Sequence, residues 1–152
     1  MKRKVLSGLV AVTFLFGMAG MVGATTLTSR INMDNGYQVY LSTSDTAAGV
    51  QFGAGNSWPT TFVNTTTLTS GMDYFLHVYG YDQGGPAGFL GEFSLSGTDH
   101  VFSNNLMTLL TNTVDWSGNG TGWADTKTAL TGYGLNGVSP WGNRPEVSSS
   151  AT

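Results

Sequence analysis

Apolar and polar residues alternate with a period of two along much of the chain from Leu27 onward, as expected of strands with one buried face. Leu27, Ser29, Ile31 and Met33 fall on one side, and Thr28, Arg30 and Asn32 on the other. This predicts a strand ending at the turn sequence Asp34, Asn35, Gly36. Tyr37, Val39 and Leu41 resume the alternation, so the two segments are expected to pair as a hairpin. Val50, Gln51 and Phe52 predict a short strand, and the Gly-rich loop 53–59 after it presents Trp58 just before Pro59. Residues 60–68 alternate weakly through Phe62, and 69–73 form a turn.

The densest aromatic and β-branched stretch follows at 74–81, with Tyr74, Phe75, Val78, Tyr79 and Tyr81. A second strand carries Phe89, Phe93 and Leu95, and the pair is expected to fold as a hairpin around Asp82, Gln83, Gly84, Gly85 and Pro86. Beyond the turn 96–99, Val101 and Phe102 continue the apolar pattern, 106–111 fit either a strand or a short helical turn, and 111–117 resemble a strand. After Gly118 the pattern decays into Gly-, Asn- and Ser-rich sequence that carries Trp123, Tyr133 and Trp141. Residues 142–152 have no periodicity and are expected to form a flexible C-terminal tail. Short strands between turn signals, with no amphipathic helix of normal length, predict an all-β fold, an antiparallel β-sandwich of 25–141. An eight-stranded jelly roll fits that length.

The N-terminus changes the picture of where this domain works. Lys2, Arg3 and Lys4 precede an apolar run that closes on Val22, Gly23 and Ala24, the layout of a secretory signal peptide at 1–24 with cleavage after Ala24. The expected product is secreted, extracellular or held at the cell surface, with no membrane association after cleavage. Its cationic side chains are Arg30, Lys127 and Arg144 against nine acidic residues, where the whole chain has a net charge of −3. That balance gives no footprint for nucleic acid or anionic lipid. The chain has no cysteine, so packing and hydrogen bonds must hold it without disulfides.

The order of segments also carries a resemblance. A strand at 34–41 beginning Asp34, Asn35, Gly36, Tyr37 leads to a Trp after a Gly-rich loop (53–58). An aromatic strand, the Gly84, Gly85, Pro86, Ala87, Gly88 turn and a later segment 113–116 then follow. Over 27–123 this resembles galactose-binding-like jelly-roll domains, and the whole chain resembles exported bacterial proteins of the PEP-CTERM, exosortase-sorted type. The resemblance implies a sugar-binding accessory module. Arg144, Pro145, Glu146 and Val147 depart from the sorting signal of such proteins, so the chain is expected to lack that tail.

Candidate chemistry is sparse. Only His77 and His100 could serve as imidazole bases, no Gly-x-Ser-x-Gly elbow is present, and the carboxylates sit mostly at turns. No catalytic residue and no enzyme activity are expected. His77, on the face opposite Leu76 and Val78, is read as structural. Asp34, Asn35, Asp45 and Asp82 are hard oxygen donors that could hold a structural calcium ion, but they lack an EF-hand pattern, and no cofactor is assigned. Exposed rings are the better lead, because aromatic faces stack on sugars. The candidate ligand-binding residues are Trp58, on a solvent-facing loop, Tyr81, Tyr133 and Trp141, while Trp116 and Trp123 are expected in the core. The expected partner is a glycan or exopolysaccharide. Self-association as a surface or matrix protein is the alternative.

Overall fold

Strands with one apolar face need a facing partner to bury it, and here two sheets serve each other. The computed structural model describes residues 24–144 and 146–148. Its strands are β1 (Thr25–Asp34), β2 (Gly36–Ser42), β3 (Val50–Gly55), β4 (Phe62–Leu68), β5 (Phe75–Tyr81), β6 (Gly88–Ser96), β7 (Thr108–Leu110), β8 (Ser117–Gly118) and β9 (Thr128–Ala129). One sheet has the order β4-β1-β6-β7, the other β3-β2-β5, and β8 with β9 makes a small ribbon. All pairs are antiparallel. The chain is an all-β sandwich, with no helix among the described residues. Of the segment expected to be a leader, residues 1–23 lie outside the described residues. Thr25, next after Ala24, is already a fully buried strand residue.

The core joins Leu27, Ile31 and Met33 of β1 to Tyr37 and Val39 of β2 and Phe93 of β6. Each such side chain contributes roughly 1.5–3 kcal/mol through removal from water. The alternation in the sequence identified these inward faces. It did not identify the pairing. β1 and β2 belong to different sheets, because both edges of β1 are taken by β4 and β6, and both edges of β2 by β3 and β5. The segment around Asp82 and Pro86 is likewise a corner between sheets, since β5 pairs with β2 and β6 with β1.

One flank of the sandwich is closed and the other is open. On the closed flank β3 lies against β4, where Gly53 and Gly55 have no side chains: a Cβ at Gly53 would collide with the Asn64 amide and one at Gly55 with the Phe62 ring. Asn64 Nδ2 donates to the Tyr37 hydroxyl at 3.0 Å across this seam. On the open flank β5 is a margin strand, and β7 is only three residues long. The expected strand at 111–117 is instead a turn in which Asn112 Oδ1 accepts from the N–H groups of Val114 and Asp115 at 2.8 and 2.7 Å. Residues 142–144 and 146–148, expected as part of a loose tail, are held: the Asn136 amide donates to the carbonyls of Arg144 and Val147, Ser148 N donates to Glu92 Oε2 at 2.8 Å, and Val147 is buried.

Candidate functional site: an aromatic end and two adjoining clefts

The outward face of β1 and β6 carries a second apolar layer. Asn32 and Leu90, opposite one another on these strands, are buried although they point away from the main core. Asn32 Nδ2 donates to the Trp58 carbonyl at 3.0 Å, which anchors the loop 56–61. Trp58 is therefore not a free-standing ring. Its Nε1 donates to the Trp141 carbonyl at 2.9 Å, its ring meets Trp141 edge to face at 6.3 Å, and the Arg144 guanidinium lies 5.1 Å from its centre. Trp141 packs beside Gly88, where an added Cβ would stand 2.8 Å from the indole. Local sequence suggested an exposed loop, but a partner more than eighty residues away covers it.

Tyr133 extends this cluster to the surface. It touches Trp141 at 4.9 Å between ring centres while remaining 52% exposed. It also lines a cleft of about 380 Å³ together with Tyr81, Asp34, Asp82, Asn112 and Thr113. Tyr81 lies on the outward face of β5 over Gly36, and Tyr79, 51% exposed, stands 6.4 Å from it. The four candidates thus divide by role. Tyr81 and Tyr133 share a cleft, and Trp58 and Trp141 build the layer that supports Tyr133. Tyr79 was not among the expected candidates, although its place two positions before Tyr81 on a strand puts it on the same face.

A larger cleft of about 650 Å³ adjoins the first and shares Met33, Phe89, Leu130 and Thr131 with it. Trp116 lines it from inside the sandwich, packing on Phe89 at 5.3 Å and Phe93 at 5.2 Å, as expected of a core ring. Trp123 does not join that core. It stacks on His77, on the outer face of β5, at 4.9 Å and 17°, and meets Tyr40 edge to face at 5.8 Å.

His77 is buried beneath Trp123, with Nδ1 3.3 Å from the Ala48 carbonyl and Nε2 3.6 Å from Asp45 Oδ1. Lys127 Nζ donates to Asp45 Oδ2 at 3.1 Å and to the Trp123 carbonyl at 3.1 Å. The Lys127 hydrogen bond holds the Asp45 carboxyl below its ordinary range. Burial pushes the Tyr37 phenol up despite its bond from Asn64.

The hard oxygen donors do not converge. Asp45 faces Lys127 and His77, Asp34 Oδ1 accepts from Asn35, and Asp82 Oδ1 accepts from Gly84 N. Among the described residues no group of three or more His, Asp or Glu side chains is arranged to hold a metal ion. No family model, curated protein or solved structure matches this chain.

Proposed function

We propose that this protein is an exported, non-catalytic β-sandwich module that binds a neutral glycan or exopolysaccharide at the bacterial surface, through Tyr81 and Tyr133 with Tyr79 beside them. The galactose-binding-like and PEP-CTERM resemblances belong to the same proposal. The observation that supports it is the meeting of Tyr81 and Tyr133 in one cleft of about 380 Å³, from positions far apart in the sequence. Rings at the cleft offer stacking faces, and the Asp82 carboxylate and Thr113 hydroxyl offer polar groups for sugar hydroxyls. The scarcity of cationic side chains favours a ligand without charge. Trp58 and Trp141 act in this reading as support.

Affinity electrophoresis against a panel of neutral polysaccharides, followed by calorimetry on the best ligand, tests the proposal. Tyr81→Ala and Tyr133→Ala should each weaken binding by about 1–3 kcal/mol, the scale of an aromatic hot spot, with the melting temperature little changed. Binding unaffected in both variants, or absent across the panel, overturns it.

A further inference from the structure

The larger cleft has a shape that the glycan reading does not use. β5 ends its sheet, and among the described residues no strand lies beyond it. Alternate N–H and C=O groups of a margin strand point outward, away from its one neighbour. Opposite it the other sheet has a fourth strand, β7, so the three-stranded sheet is one strand short on this flank. Trp116 lies inside the sandwich and Trp123 outside it, on His77, so the chain between them passes around the margin of β5. It does so at a distance, because the cleft of about 650 Å³ separates β5 from Ser117, Gly118 and Ala129 of the ribbon.

We infer that this cleft is a strand-acceptor trough, which binds a short extended peptide as a fourth strand beside β5. Its dimensions support this. Three consecutive residues of β5 line the cleft, and at about 3.3 Å per residue they offer about 10 Å of strand margin for pairing. They are Leu76, His77 and Val78. Leu76 and Val78 line the trough with Phe89, Trp116 and Leu130, an apolar lining for every second side chain of the guest.

The charged rim sets the chemistry of the flanking residue. Asp45 is already paired with Lys127, whereas Asp115 has no cationic partner among the described residues. The guest is therefore a peptide with small or β-branched apolar residues at alternate positions, no acidic side chain, and a Lys or Arg beside Asp115. Main-chain hydrogen bonds would supply its affinity.

The test uses the full chain after export and a pool of capped hexapeptides in which Val, Ile and Thr alternate and one end carries Lys. Bound members should protect the amides of β5 from hydrogen exchange. N-methylation at alternate peptide nitrogens should weaken binding at least about tenfold, because it removes the strand-pairing bonds and leaves the apolar side chains. Ala129→Trp, an exposed ribbon position facing the trough, should narrow the slot and abolish binding, with an unchanged circular dichroism spectrum showing that the fold is retained. Glu92→Gln, on the far side of β6, should bind as the wild type does. No binding by any pool member up to about 1 mM overturns the proposal. Equal affinity of the N-methylated peptides, or protection outside β5, also overturns it. Protection of the same amides by a neutral oligosaccharide would assign the trough to sugar instead.

Discussion

Trp123 lies face to face on His77, with ring centres 4.9 Å apart and planes 17° from parallel. The stack ties the segment between β8 and β9 to the outer face of β5, and Lys127 fastens the same segment to Asp45. The two contacts together form a latch over the open flank. Trp123→Ala should cost about 0.5–1.5 kcal/mol through the lost ring contacts. Its clearest readout is faster amide exchange across 117–129 with β1 and β6 unaffected.

The latch should also respond to acid. The Asp45 carboxyl is held below its ordinary range, chiefly by the hydrogen bond from Lys127. A lowered folded-state value means that this contribution is present above the ordinary carboxylate range and is lost as pH falls through the folded value. Asp45 is half exposed, so solvent screening keeps the effect local. Amide protection in 117–129, taken relative to the intrinsic exchange rate at each pH, should fall below about pH 4, and Asp45→Asn should flatten that dependence.

Trp58→Ala should act on stability. The ring is clasped by Trp141 and Arg144, and the backbone beneath it is held by Asn32. A loss of about 2–4 kcal/mol is expected, toward the low end of the range for large aromatic truncations because the ring is only half buried. Chemical denaturation measures it. An unchanged midpoint would mean that the clasp contributes little.

Two glycines should fail for different reasons. Gly85 has φ +97° and open space around it, so Gly85→Val should cost about 1–3 kcal/mol from backbone strain alone. Gly53 faces Asn64 across the closed seam, so Gly53→Val should push β3 from β4 and break the Asn64 bond to Tyr37. About 1–3 kcal/mol is expected there from overpacking. Thermal melts compare the two, and only the Gly53 variant should expose Tyr37 to solvent.

The period of two in the sequence determined which residues of β1 and β2 face inward, because a side chain's face follows from its own strand. It also determined the all-β class. Partners along the sheet were not determined locally. An alternating strand accepts a neighbour on either edge, so Asp34, Asn35, Gly36 could as well turn a hairpin as change sheets, and here it changes sheets. The same limit applied to the tryptophans. A Gly-rich loop around Trp58 suggested exposure until Trp141 covered it, and Trp123, expected in the core, found its partner in a histidine on the outer face. Burial of a loop ring depends on segments distant in sequence that fold over it, and only the tertiary structure brings those segments together.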